Sequence, residues 1–189
     1  MKQESVAKYI LRISLTLLLI ASVVAAALAL VNRITKPIIQ KADEEKMQQA
    51  IRQVLPGGYD SQVEAFTDPS GLVSKVFKGA NGYAVEVLPN GFDSAITMMV
   101  GVAPDGTVLE ICMVSHTETA GLGAVAASPG SAGNTFREQF VGTSGEARVK
   151  KDGGTIDAIT GATVTSRAVC SGVNAAVACV EALEQGGAA

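Results

Sequence analysis

The alternation of apolar and polar residues changes character three times along the chain. From Ile13 to Val31 there are 19 residues without a charge. At a rise of ~1.5 Å per residue this helix falls just short of the ~30 Å hydrocarbon core of a bilayer. No polar face interrupts it, so it reads as a membrane span and not as a surface helix. A cleaved signal peptide is the competing reading. Its apolar core would be shorter, roughly 7–15 residues, and would end at small residues such as Ala25 and Ala27. The length favours an uncleaved anchor. Residues 32–40 read as a linker, stiffened at Pro37. From Lys41 to Leu55, the spacing of Met47, Ala50, Ile51, Val54 and Leu55 predicts a helix that Pro56-Gly57-Gly58 ends.

Beyond this point the period drops to two. Leu72–Lys78, Tyr83–Leu88, Ala95–Ala103 and Thr107–Val114 alternate, and the breaks at Ala80-Asn81-Gly82, Pro89-Asn90-Gly91 and Pro104-Asp105-Gly106 are turn signals. Short strands so close in sequence predict an antiparallel sheet. Thr119 to Gly133 is a Gly-, Ala- and Ser-rich loop long enough to need a purpose. Asn134–Val141 reads as a short helix capped by Asn134, and Ala147–Lys150 and Ile156–Ile159 as two short strands. In the last element Val169, Val173, Ala176, Val177, Val180 and Leu183 share one helical face, and Gly186-Gly187 ends it. The expected fold is α+β: an N-terminal transmembrane helix, then a single mostly antiparallel-sheet domain with packed helices. The expected division is a cytoplasmic tail at 1–12, the span at 13–31, the linker at 32–40 and the domain at 41–189.

Composition narrows the function. The net charge of −3 comes with no basic stripe, which argues against nucleic acid as a partner. Cys112, Cys170 and Cys179 form no CxxC pair, removing c-type haem attachment, iron–sulfur clusters and zinc ribbons. On one helix Cys170 and Cys179 would face opposite ways and could not bridge. They read as small buried hydrophobes. Lys2, Lys8 and Arg12 before the span balance Arg33, Lys36 and Lys41 after it, so the positive-inside rule gives nearly a tie. A short N-terminal tail leans towards a soluble part outside the cytoplasm.

The chemistry concentrates in Asp157-Ala158-Ile159-Thr160-Gly161-Ala162-Thr163-Val164-Thr165-Ser166, where a predicted strand hands over to the last helix. Thr160, Thr163, Thr165 and Ser166 supply four hydroxyls within seven residues, and Gly161 and Ala162 let a ligand approach the backbone. A helix N-terminus adds unpaired N–H groups and partial positive charge, which together make a phosphate site without a lysine. The plain reading is capping. The cluster is richer than one cap needs, and the residues alone carry the reading as far as an anion site.

Asp157-x-x-Thr160-Gly161-Ala162-Thr163 also resembles the D-x-x-[S/T]-G-A-T signature of the FMN-binding domain family. That family includes the G subunit of the Rnf ferredoxin–NAD oxidoreductase and the C subunit of the sodium-pumping NADH–quinone oxidoreductase. The resemblance implies that Thr163 carries FMN through a phosphoester bond. A flavin transferase would install it from FAD with AMP as leaving group, and Asp157 would belong to the sequence that enzyme recognises. His116-Thr117-Glu118-Thr119-Ala120-Gly121-Leu122-Gly123 resembles the family's H-x-E-T-P-G-L-G loop, departing from it at Ala120. By that resemblance Glu118, Thr119, Gly121, Leu122 and Gly123 lie against the flavin, with Thr160, Gly161, Ala162 and Thr165 around its attachment point. Phe136-x-x-Gln139-Phe140-x-Gly142 resembles the following segment of Rnf G subunits.

What this implies is a single-pass electron-carrier subunit in the cytoplasmic membrane, its soluble domain on the extracytoplasmic side. Its partners would be the other subunits of an Rnf-type complex and, during maturation, the flavin transferase. The sodium-pumping C subunit and a flavin-free anchored binding module are the alternatives. With no Trp and few aromatics, aliphatic packing is expected to hold the flavin ring, Leu122 among it. Other chemistry is poorly supplied. His116 is the only histidine, with no G-x-S-x-G elbow and no metal-ligand cluster near it, so it reads as a loop hydrogen-bonding residue. Arg167, Lys150 and Lys151 read as surface, Arg167 being the best of them for a phosphate.

Overall fold

The computed structural model describes residues 6–186. They fall into two compact units that divide between Glu45 and Lys46. The first is the greater part of helix α1, Val6–Val54. Leu11, Leu18, Val23, Leu28 and Leu30 all stand exposed along it, a surface that suits lipid and not water. The helix continues through residues 32–40, where a linker is expected, with Pro37 inside it. Proline removes one backbone hydrogen bond, and the helix-forming stretches on both sides carry the backbone across that local loss.

In the second unit the end of α1 joins a five-stranded sheet. The strands are β1 (Ser61–Val63), β2 (Val73–Gly79), β3 (Gly82–Val87), β4 (Thr97–Val102) and β5 (Val108–Ser115). They run antiparallel in sequence order. β1 was not anticipated, being three residues long and mostly exposed. Helices α2 (Ser131–Glu138) and α3 (Thr163–Glu184) follow, with 3-10 turns at Gly123–Ala127 and Lys150–Asp152.

The period of two assigns each strand residue to one of two cores. Val76, Val85, Val87, Met98, Val100 and Val102 meet Val169, Val173, Ala176 and Val180 of α3. Phe77, Ala84 and Met99, one step out of phase, meet Ala50, Ile51, Val54 and Leu55 from the end of α1. Gly101 permits that second contact, because a Cβ there would collide with the Val54 carbonyl oxygen.

Two local expectations change. α2 starts at Ser131 behind Gly130 with no side-chain cap, so Asn134 sits inside it and not at its start. The two short strands expected at 147–150 and 156–159 reduce to one parallel bridge, Val149 to Ile156, around the 3-10 turn. Leu183 packs against the core partly buried, and Cys170 and Cys179 are both buried, as expected of small hydrophobes. The sheet covers one side of α3. On another, the Asn174 amide holds Ala147, accepting its N–H at 2.7 Å and donating to its carbonyl at 3.0 Å. Of the most apolar stretch of α3, 67% is buried, which marks a core helix although its length would cross a membrane.

Candidate flavin site

The segment 156–166 is a turn followed by an uncapped helix start. Ala162 N–H donates to Ile159 O at 2.9 Å, with Gly161 at φ +76, where only glycine sits without strain. The first hydrogen bond of α3 runs from Ser166 N–H to Ala162 O at 3.0 Å. Ser166 Oγ reinforces it, donating to Ala162 O at 2.9 Å and accepting from Ile159 N–H at 3.0 Å. The N-cap residue is Ala162, without a side-chain cap. The backbone N–H groups of Thr163, Val164 and Thr165 are thus left for a ligand, at the positive end of the helix.

The loop after β5 comes to this helix start through Glu118. Its carboxylate, on a residue only 8% exposed, accepts from Thr165 Oγ1 at 2.6 Å and from Phe92 N–H at 2.8 Å. One side chain therefore joins three segments distant in sequence. The joint is tight: a Cβ at Gly123 would collide with Glu118 Oε2 and lie 2.5 Å from Thr165 Oγ1, and one at Gly91 would collide with Glu118 Oε1.

These segments enclose a cavity of ≈ 280 Å³. Glu118, Thr119, Leu122, Gly123, Gly161, Ala162, Thr163 and Thr165 line it, together with Phe92 and Val164. Thr160 and Gly121 line a neighbouring cavity of ≈ 500 Å³ beside α2. A larger cavity of ≈ 550 Å³ lies elsewhere along α3, with Arg167 in its wall. Its two arginines are both paired with acids. Arg167 binds both oxygens of Asp152 at 2.6 Å, and Arg148 meets Glu146 at 2.5 Å. Size alone therefore does not mark the site, and Arg167 is not placed for a phosphate in the Thr163 cavity. Lys150 pairs with Asp157 at 2.7 Å. His116 does not line the cavity, and among the described residues its enclosed Nδ1 has no hydrogen-bond partner.

Phe92 is the residue that sequence reasoning passed over. It follows the Pro89-Asn90-Gly91 break and looks like loop. In the structure it stands 72% exposed at the cavity, beside Leu122 at 42% and Val164 at 45%. Its isolation as a large aromatic inside a turn was the available signal.

The arrangement fits a flavin nucleotide. Helix N–H groups and the Thr163 hydroxyl suit a phosphate, and an apolar trio with one aromatic suits a planar ring. The volume falls just below the ~300–1,000 Å³ of enclosed ligand sites, so part of the ligand would remain outside.

Known proteins similar to this chain agree with that reading. The FMN-binding domain family matches residues 91–178, and the RnfG N-terminal region matches residues 1–54. The G subunit of an ion-translocating oxidoreductase complex from Methanosarcina acetivorans is 31% identical, with 94% of this chain and 97% of that protein aligned. The corresponding protein of Pseudomonas aeruginosa is 35% identical over 88% of this chain and 86% of its own. The chain belongs to the family of G subunits of ion-translocating oxidoreductase complexes. A further similar member, from Acetobacterium woodii, is 29% identical over 90% of this chain and 91% of its own, and is named as a subunit of a Na(+)-translocating ferredoxin:NAD(+) oxidoreductase complex. Within this family the cavity lies in the FMN-binding domain, and the exposed apolar helix falls in the N-terminal region of a subunit of a membrane complex.

Proposed function

We propose that this chain carries FMN covalently, through a phosphoester bond to Thr163, and passes electrons within a ferredoxin–NAD type ion-translocating complex. The observation that carries the reading is Thr163 itself. It stands at the first position of an uncapped helix, in the wall of the cavity, with no hydrogen bond from its hydroxyl among the described residues. A capping threonine would bond back to the helix.

Attachment would proceed by attack of Thr163 Oγ1 on the FMN phosphorus of FAD. The new P–O bond replaces the pyrophosphate P–O bond, AMP leaves with that bond's electron pair, and the hydroxyl proton passes to the flavin transferase. The diester retains one negative charge, which the N-terminus of α3 would meet. Bound flavin supplies reversible electron uptake and release, while the protein supplies position and electrostatics. Phe92, Leu122 and Val164 would pack on the ring and leave part of it open, as transfer between partners requires. Glu118 would hold the three walls together and, with its oxygens occupied, hold Thr165 away from the ligand.

The partners in this reading are the other subunits of the complex, in keeping with the names of the similar proteins. Residues 13–31 would cross the membrane once, with residues 1–12 in the cytoplasm, helix instead of linker through 32–40, and the flavin domain on the extracytoplasmic side. A covalent tether suits that side, where free FMN would be lost by dilution.

The test is direct. Full-length chain from a host with a working flavin transferase should give a fluorescent band on a denaturing gel under ultraviolet light. Its mass should exceed that of the bare chain by one FMN less water. Thr163→Ala should abolish both signals. Colourless wild-type chain of unmodified mass would end the reading.

A further inference from the structure

Among the described residues, the backbone polar groups between Ile156 and Ile159 are held by one side chain. Upstream, Ile156 is tied by its N–H to Arg148 O at 3.0 Å and by its carbonyl to Lys150 N–H at 2.8 Å. Downstream, Ile159 N–H is held by Ser166 Oγ. Between them, Gln139 takes Asp157 from both sides. Its Oε1 accepts from Asp157 N–H at 2.6 Å, and its Nε2 donates to Asp157 O at 3.3 Å and shares the Phe136 carbonyl at 3.5 Å. The amide replaces the strand neighbour that this segment lacks.

The consequence is a display. With its backbone held by Gln139, Asp157 turns its carboxylate outward, where among the described residues an exposed pair with Lys150 alone engages it. Thr160, three residues on, is exposed with no hydrogen bond from its hydroxyl among the described residues. Both line the same ≈ 500 Å³ groove as Gln139 and Phe136.

We infer that Gln139 is a positioning residue for flavin attachment: it holds residues 157–160 in the path on which the flavin transferase reads Asp157 and Thr160 while Thr163 reacts. The inference rests on the reading of Thr163 as the attachment residue. Gln139 touches neither FAD nor Thr163; it acts by lowering the conformational freedom that binding the transferase would otherwise have to remove.

The experiment uses full-length chain in detergent, made in a host without the transferase, then mixed with purified flavin transferase and FAD. FMN incorporation is followed by in-gel fluorescence and intact mass at varied chain concentration. Gln139→Met keeps the length and removes both hydrogen bonds. It should lower kcat/KM about tenfold, almost entirely through KM, and still reach full occupancy at long times, because the order that the two bonds to Asp157 supply must then be paid for on binding the transferase. Tyr83→Phe is the control. It removes the Tyr83–Glu184 hydrogen bond at the far end of α3 and should leave the attachment rate unchanged. If Gln139→Met does not fold, Gln139→Glu keeps the acceptor and loses the donor, and should lower kcat/KM about threefold. Attachment at the wild-type rate, a loss confined to kcat, or an equal loss in Tyr83→Phe would overturn the inference. Failure of the wild-type chain itself to take up FMN is a separate result, which would remove the Thr163 reading instead.

Discussion

Gly123→Ala tests whether Glu118 holds the site together. Gly123 is not in the left-handed region, so alanine meets no backbone penalty there. Elsewhere such a change would stabilise by ~0.4–1 kcal/mol through the unfolded chain. Here the new methyl would land on Glu118 Oε2 and 2.5 Å from Thr165 Oγ1. The bond between those groups must open, at ~1.5–3 kcal/mol for a buried hydrogen bond to a charged group. Forcing a methyl into a filled space adds ~1–3 kcal/mol if nothing else moves. Partial relaxation leaves a net loss of about 2 kcal/mol. For a domain of this size that is a fall in Tm of roughly 4–8 °C. The assay is thermal unfolding of full-length chain in detergent, followed by circular dichroism, repeated in a Thr165→Ala background. Removing the threonine side chain opens the space, so Gly123→Ala should cost at least ~1 kcal/mol less there than in the wild type. A neutral or stabilising Gly123→Ala would refute the packing around Glu118. Strict additivity of the two changes would refute the contact with Thr165.

Other outcomes follow from the same geometry. Thr160→Ala should retain some FMN attachment, read as fluorescence of the denatured band, because Thr160 lines the neighbouring groove and not the Thr163 cavity. Complete loss would place it in the reaction. The side-chain hydrogen bonds from Arg167 hold Asp152 below its usual 3.8, so their contribution is full above pH 3.8 and is lost as pH falls through the lower folded value. An NMR carboxyl titration should show this, with Arg167→Ala moving the midpoint back up; a wild-type midpoint at or above 3.8 would contradict the pairing. Burial pushes the Cys170 and Cys179 thiols up to about 11, and Cys112 upward too. At pH 8 iodoacetamide should label the native chain slowly and all three thiols after denaturation, as counted by mass spectrometry.

The long apolar run, the four main strands, the core stripe of α3 and the chemical character of 157–166 were all legible in the chain. Each is a local property: a period of two or 3.6, a length, or a cluster of hydroxyls and small residues at a helix start. The same locality explains the misses. Pro37 reads as a break, but a proline removes one bond and the flanking residues decide whether the helix survives. Residues 147–159 alternate like strands, but a strand needs a neighbour, and only Val149 and Ile156 find one. Arg167 beside a phosphate motif looks available until Asp152, fifteen residues earlier, closes on it.

Local sequence therefore determined where the hydroxyls and small residues cluster, and tertiary structure decided how those segments are joined. Nothing in the spacing of residues 92, 118 and 165 says that one carboxylate binds two of them, or that Phe92 stands at the cavity. Nor does it say that Gln139 acts as the missing strand beside Asp157. Contacts between segments depend on chain paths in three dimensions. Those paths are set when the two faces of the sheet bury α3 on one side and the end of α1 on the other.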